Sequence, residues 1–452
     1  MDSKEFDSPQ QEAICAVATP PGVGAIAVIR VSGLGTFDIV GKIFRGKNLH
    51  QVPSHTVHFG TITDGRAVID EVLVAVFKNP RSFTKEDVVE ISCHGSDYII
   101  QKIVQLLIRE GASLAQPGEF TQRAFLNGQF DLVQAEAVAD LIAADSAAAH
   151  RTAINQLRGG FSKQLAELRD ELIQFASLVE LELDFGEEDV EFAERNDLRR
   201  LIVGLQTSIK PLIDSFDFGN ALKGGIPVAI VGAPNVGKST LLNALLNEEK
   251  AIVTPIAGTT RDIIEDILFI DGIKFRIIDT AGIRQTDDVI ESIGIERTKQ
   301  AIEKADVVIA LDIPDGEEIG LDAPEAKIVR VMNKVDLLQE PALAQMRAQN
   351  KYVLMSAKTG EGLDGLKQKI HGMALNHVSL NHSVVTNARH YQHLSKTHAA
   401  LEQVLVGLEN GVTSDFLAQD IRLALFELGQ ITGTIAAEDL LKNIFGRFCI
   451  GK

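Results

Sequence analysis

Cysteine is scarce in this chain, with only Cys15, Cys93 and Cys449 among 452 residues. They are widely separated and form no C-x-x-C pair, which excludes a disulfide framework and argues against a structural zinc site. All three are expected to be reduced thiols. Basic charge is also short. The 44 Lys and Arg against 62 Asp and Glu leave a formal charge of −18, a poor footprint for a protein that binds nucleic acid strongly by itself. No run approaches the roughly 18 apolar residues of a membrane span, and the start MDSKEFDSPQQ has neither a basic nor an apolar signal region. A cytoplasmic chain is expected. The length suggests about three domains, each large enough for its own core.

What is present is a set of phosphate- and base-reading motifs. Gly232-Ala233-Pro234-Asn235-Val236-Gly237-Lys238-Ser239 fits G-x-x-x-x-G-K-[ST], between a strand-like run, Pro227 to Val231, and a helix-like run, Thr240 to Leu246. The glycines let backbone N–H groups converge on phosphates, and the helix start at Thr240 adds a favourable dipole. Lys238 would reach the outer phosphates and Ser239 would ligate Mg2+. Asn333-Lys334-Val335-Asp336 ends another apolar run, Ile328 to Met332. The Asp336 carboxylate can accept two hydrogen bonds from guanine, a donor pair that adenine lacks, so GTP is expected over ATP. Ser356-Ala357-Lys358 would close over the base from the other side. Asp279-Thr280-Ala281-Gly282 would meet the γ-phosphate and the Mg2+ shell. Together these four signals resemble a Ras-like G domain in order and spacing. Asp271-Gly272 reads as a tight hairpin turn within it.

The surroundings bear on hydrolysis. Ile283 stands where Ras-like switches carry a water-orienting Gln, so that side chain cannot position the attacking water. The run Thr254-Pro255-Ile256-Ala257-Gly258-Thr259-Thr260 offers carbonyl and hydroxyl oxygens near the developing charge, with Thr260 as the second Mg2+ ligand. K+ held by Asn235, Thr254, Ile256 and Thr259 could act where other enzymes place an arginine finger. Asn, Thr and Gly are also ordinary turn formers, which is the competing reading.

The periodicity sets out a multidomain order. An N-terminal α+β domain is expected over residues 1–128, with strands over Ile26 to Val31 and Val72 to Val76 and a helix over Asp97 to Arg109. A helical domain follows over 129–222, with Leu165, Leu168, Leu172 and Ile173 on one face. The α/β P-loop domain covers 223–375, and a second helical part covers 376–452. Between Ile313 and Lys327 there is little room for a full helix.

The combination GAPNVGKS, IAGTTRD, DTAGIR, ESIGIER, NKVD and the terminal Cys449-Ile450-Gly451-Lys452 resembles the bacterial tRNA modification GTPase family MnmE, also called TrmE. Ala18-Thr19-Pro20-Pro21-Gly22, Ile29-Arg30-Val31-Ser32-Gly33, Ser82-Phe83-Thr84, His94-Gly95 and Pro117-Gly118-Glu119-Phe120-Thr121 to Asn127 extend the match over nearly the whole chain. The resemblance implies a G domain inserted between two halves of a helical domain. It implies a homodimer that works with the FAD-dependent MnmG on C5 of the tRNA wobble uridine, with a reduced folate as one-carbon source and K+-dependent G-domain dimerisation. It carries folate binding onto Arg30 and Glu90, with Lys452 reaching the same site. It assigns Glu291 to orienting the attacking water, and Asn235 and Lys238 to the GTPase step. Unaided, Arg30 and Glu90 read as surface strand charges and Glu291 as a solvated helix face.

One position departs from the family pattern. Gln129 stands where many members carry Lys, which removes a cationic contact to folate, and Arg123 is the candidate to compensate. Cys449 is either a thiol activated beside Lys452 or a small residue finishing the amphipathic run Leu440, Leu441, Ile444, Phe445 and Phe448. The histidines from His377 to His398 read as a hydrated linker and helix face rather than a metal site. Two other functions stay in play: a ribosome-assembly GTPase of the Era-like kind, and a folate-binding regulator set by GTP.

Overall fold

The computed structural model describes the chain apart from residues 1–11, 185–194, 249–265, 279–298, 315, 317–319, 322, 377–383, 436–437, 447 and 452. The chain divides into two compact units. The first comprises residues 1–139, 156–169 and 428–452, and the second residues 140–155 and 170–427.

The first unit is built on a seven-stranded sheet. Its strands are β1 (Ile14–Val17), β2 (Gly24–Ser32), β3 (Phe44–Arg45), β4 (Thr56–Asp64), β5 (Ala67–Phe77), β6 (Val88–Gly95) and β7 (Ser113–Leu114). Their order is β3-β4-β5-β6-β2-β1-β7, antiparallel except for the β1/β7 pair. Strand alternation does the sorting: Val72, Val74 and Val76 of β5 and Ile29 and Val31 of β2 are buried, while Leu73 between them is 49% exposed. The buried face packs against helices α1 (Thr36–Ile43) and α2 (Asp97–Arg109), through Val40, Ile103, Leu106 and Leu107 among others. Each such fully buried side chain contributes about 1.5–3 kcal/mol. The register places Arg30 opposite Glu90 across the β2/β6 ladder, on the other face.

At the β1 end that other face has a small cover of its own. Ile14 and Ala16 of β1 pack with Ala115, Phe83 and Phe120, the last from helix α3 (Glu119–Leu126). Helix α4 (Leu132–Ala143) then brings Leu132 and Ala135 against Leu441 and Phe445 of the helix Glu438–Phe445, with Phe125, Phe130, Ile444 and Phe448 around them.

The second unit carries a six-stranded sheet. Strands β8 (Ile226–Gly232), β10 (Ile273–Ile277), β11 (Val307–Asp312), β12 (Ile328–Met332) and β13 (Val353–Leu354) run parallel, and only β9 (Asp266–Ile270) is antiparallel to its neighbour β10. β11 is buried at every position, as a central parallel strand covered on both faces requires. The expected hairpin joins β9 and β10 at Asp271 and Gly272, whose φ angles of +48° and +80° suit the primed turns of two-residue loops. Between Ile313 and Lys327 the described residues hold one short 3-10 turn, Glu325–Lys327.

The helix Ala388–Glu409 packs along the helix Arg195–Asp214 in the same unit. Here the structure corrects the reading of the histidines. His390 is fully buried, and His393 Nδ1 lies 2.6 Å from Oε2 of the buried Glu427. Their i, i+3 spacing turns both inward rather than toward water. Among the described residues no group of three or more metal-ligating side chains forms, and no helix is long and apolar enough to cross a membrane.

Candidate functional site

The phosphate loop is set by its neighbours in the second unit. β8 ends at Gly232 and the helix Lys238–Glu248 follows. Between them Asn235 and Gly237 take left-handed backbone angles, φ +61° and +102°. A Cβ at Gly237 would stand 2.5 Å from Asn333 Nδ2, so only glycine fits. That Asn333 is buried, donates from Nδ2 to the Val236 carbonyl at 2.7 Å and accepts from the Ala357 N–H at 2.9 Å. One side chain thus joins three of the sequence motifs. Lys334, at φ +60°, sends its Nζ to the Asn235 carbonyl at 2.9 Å.

Lys238 Nζ donates to the carbonyls of Gly232 and Ala233 at 2.9 and 3.0 Å. Burial of the ammonium lowers its pKa, so a phosphate oxyanion restores the charge balance that carbonyl dipoles supply only in part. Ser239 and Thr240 occupy the first turn of that helix, where backbone N–H groups and the helix dipole favour an anion. Asp336 stands exposed in the short turn Val335–Leu337, and the Val335 N–H bonds the Met355 carbonyl at 3.2 Å. Ser356 is buried and Lys358 exposed. The Asn333–Asp336 and Ser356–Lys358 segments are therefore fixed to one another by backbone contacts. The other expected GTP, K+ and Mg2+ positions, Thr254 to Thr260 and Asp279 to Gly282, and the catalytic candidate Glu291 lie outside the described residues.

The first unit carries the second set. Arg30 Nε and Nη2 reach Oε1 of Glu90 at 2.9 and 2.8 Å. The guanidinium also lies 5.5 Å from the Phe83 ring centre and 5.6 Å from that of Phe120, a cation between two aromatic faces. Both carboxylate and guanidinium keep about a quarter of their surface open, at 27% and 21%. These are not isolated surface charges. They form a paired, aromatic-lined site that could meet a planar heterocycle with N–H donors. Phe83 and Phe120 carried no signal of this role in sequence, because 53 and 90 residues separate them from Arg30.

Gln129 is exposed and lines a recess with His55, Phe77, Pro80, Arg81, Ser82 and Phe83. Arg123 does not compensate for it, since its side chain is 5% exposed and held by Glu119 and Glu86. The cations nearby are Arg81, in the same recess, and Lys85, whose Nζ donates to the Gly128 carbonyl at 2.6 Å.

The C-terminal tail is seated in the same unit. The Cys449 carbonyl accepts from the Gly118 N–H at 3.3 Å. Gly451 is buried at φ +93°, where a Cβ would stand 2.2 Å from the Val17 carbonyl oxygen. The apolar run ends at Phe448, and Cys449 is exposed, so it does not finish the amphipathic stripe. Lys452 lies outside the described residues. Cys15 and Cys93 are buried, and burial pushes both thiols up to about 11.

Comparison with known proteins agrees with this arrangement. The family model described as the MnmE helical domain matches residues 132–449, and that of the GTP-binding protein TrmE N-terminus matches residues 13–129. The tRNA modification GTPase MnmE of Cytophaga hutchinsonii is 53% identical over 450 residues, covering 98% of each chain. Those of Flavobacterium johnsoniae and Bacteroides thetaiotaomicron are 52% and 50% identical over 98% of this chain and 99% and 100% of theirs. With a phosphate loop and whole-length similarity to these GTP-hydrolysing enzymes, the chain belongs to the MnmE family of tRNA modification GTPases.

Proposed function

We propose that this chain hydrolyses GTP to drive installation of an aminomethyl-type group at C5 of the tRNA wobble uridine, together with the FAD-dependent partner MnmG and a reduced folate. The observation that carries the folate part is the Arg30 and Glu90 pair between Phe83 and Phe120. A carboxylate suits the N–H donors of a reduced pterin, and a guanidinium suits its anionic tail. The seating of the Cys449 carbonyl on Gly118, next in sequence but one to Phe120, supports a role for the tail at the same site.

In the GTPase step Lys238 neutralises charge on the outer phosphates, and Asp336 selects guanine. Ser239 and Thr260 would hold Mg2+, which supplies charge stabilisation at the transferred phosphoryl group. Asn235, Thr254, Ile256 and Thr259 would hold K+, and Glu291 would orient the attacking water. GTP turnover is expected to be faster in K+ than in Na+ at equal ionic strength, and Glu291→Ala should abolish turnover while GTP still binds. Equal rates in the two salts would remove the K+ role, and normal turnover in the variant would remove that of Glu291.

A homodimer is supported by the open face of the first unit. Val57 and Phe59 of β4 and Leu73 of β5 are 61%, 65% and 49% exposed on neighbouring positions of one sheet face, an apolar patch that a second copy would cover.

The deciding experiment is mass spectrometry of nucleosides from unmodified tRNA incubated with this chain, MnmG, GTP, K+, a reduced folate and an amine source. A C5-aminomethyl-type uridine that vanishes when this chain is left out is the expected result. No product from an active partner, with GTP hydrolysis intact, would shift the reading to a GTPase that only regulates.

A further inference from the structure

We infer that Arg123 is a positioning residue for the Arg30 and Glu90 site, because it ties the seat of the C-terminal tail to the loop that carries Phe83; the inference rests on the folate reading of that site. Arg123 Nη2 and Nε donate to Glu119 Oε1 at 2.8 and 3.3 Å, and Nη1 donates to the Glu12 carbonyl at 2.9 Å and to Glu86 Oε1 at 3.5 Å. From this buried guanidinium two branches run outward.

The first branch reaches the tail. Glu119 Oε2 accepts the Gln116 N–H at 2.8 Å, which closes the turn before α3. In that turn Gly118 sits at φ +68° and donates to the Cys449 carbonyl. A Cβ at Gly118 would stand 2.5 Å from the Phe445 carbonyl oxygen, so the tail presses directly on this turn.

The second branch reaches Arg30. Glu86 Oε2 accepts from the Ser32 hydroxyl at 2.6 Å, and Ser32 and Thr84 share a hydroxyl hydrogen bond of 2.7 Å. Ser32 lies two positions beyond Arg30 on β2 and so points to the same face of the sheet. The residues on either side of Phe83 are anchored, with the Ser82 hydroxyl on the Glu86 carbonyl at 2.6 Å and the Thr84 carbonyl on Asn127 Nδ2 at 2.7 Å. Phe120 follows Glu119 directly. Both rings that face Arg30 are therefore held by neighbours of the Arg123 carboxylates.

The chemistry makes arginine specific. Removing the guanidinium would leave the half-buried Glu86 and Glu119 without their cation, which is destabilising. Lysine restores the charge, but an ammonium on a flexible stem cannot span two carboxylates and a carbonyl as a planar fork does. Arg123→Lys thus separates charge balance from geometry.

The test uses the full-length protein, titrated calorimetrically with 5-formyltetrahydrofolate, with amide exchange followed in peptides covering Gln116 to Phe120. Arg123→Lys is expected to bind the folate about tenfold more weakly, to exchange faster at Gln116 and Gly118, and to melt within about 4 °C of wild type. Ser32→Ala cuts only the second branch and is expected to weaken folate while leaving exchange at Gly118 unchanged; it also decides the matter if Arg123→Lys fails to fold. Wild-type folate affinity in Arg123→Lys or in Ser32→Ala would overturn the inference, as would unchanged exchange at Gln116 and Gly118 in Arg123→Lys. Failure of the wild-type protein to bind the folate would instead remove the folate reading, and the exchange data would then show whether the network holds the tail seat at all.

Discussion

Asn333 illustrates how a residue read as part of a base-binding motif turns out to brace the phosphate loop. Its amide is buried and satisfied at both ends, by Val236 and Ala357, so Asn333→Ala leaves a buried carbonyl and a buried N–H without partners at about 1–3 kcal/mol each. GTP affinity should fall at least about tenfold, measured by titration with a fluorescent GTP analogue; wild-type affinity would show that the loop holds its shape without this brace. The thiols give a second prediction. Only Cys449 is exposed, so a thiol reagent at pH 8 should label one cysteine in the native protein and all three after denaturation. Cys15 and Cys93 have folded pKa values raised from 9.0 to about 11. Their contribution is therefore complete below pH 9 and is lost as pH rises through 11, by roughly 3 kcal/mol each at most. Urea midpoints that stay flat from pH 8.5 to 11 would count against such burial. The strand–loop–helix context of Lys238 and Ser239 was legible because local spacing sets it. Arg123 was misread as a folate contact, because nothing local reveals that Glu86, 37 positions earlier, faces it.

At the scale of elements, hydrophobic period and turn chemistry were sufficient. The helix expected over Asp97 to Arg109 has those bounds, with Asp97 in its first turn and Arg109 in its last, each suited to the helix dipole. The apolar run Ile328 to Met332 forms a strand with those bounds, and the turn at Asp271-Gly272 is where local pattern put it. The histidine-bearing helix was harder, since its period does not say which flank meets another helix. His393 is half-buried beside Glu427, with Lys396 Nζ at 3.5 Å from the same carboxylate and Arg389 nearby. Burial is the largest cause acting on it and lowers its pKa below 6.5, outweighing the hydrogen bond it makes to Glu427. The unfolded chain then binds the proton more readily, so stability is present above pH 6.5 and falls as pH drops below it. Urea midpoints at pH 7.5 and 5.5 should show this loss, and His393→Gln should reduce it. An unchanged pH dependence in the variant would place the acid sensitivity elsewhere.

For the whole molecule, the charge of −18 argues that tRNA affinity of the isolated chain is weak and collapses with added salt, and that a basic partner supplies the phosphate contacts. A filter-binding series from low to physiological salt would test this, and tight, salt-insensitive binding would contradict it. Ligand linkage should also respect the two units, because each candidate site draws all its described residues from one of them. GTP is expected to slow amide exchange around β8, the helix Lys238–Glu248 and Asn333, and a reduced folate to slow it around Arg30, Glu90 and Gly118.

The sequence by itself determined the G-domain motifs, the guanine preference, the order of strands and helices and the scarcity of reactive thiols. Each of these depends on neighbours within a few residues, where spacing alone sets geometry. Only the tertiary structure decided that Arg30 and Glu90 are a pair rather than loose surface charges, that Phe83 and Phe120 enclose them, that Arg123 holds the loops instead of a ligand, and that Gly451 docks on Val17. Strand register and close backbone approach join residues tens to hundreds of positions apart, and no local period encodes which of them meet.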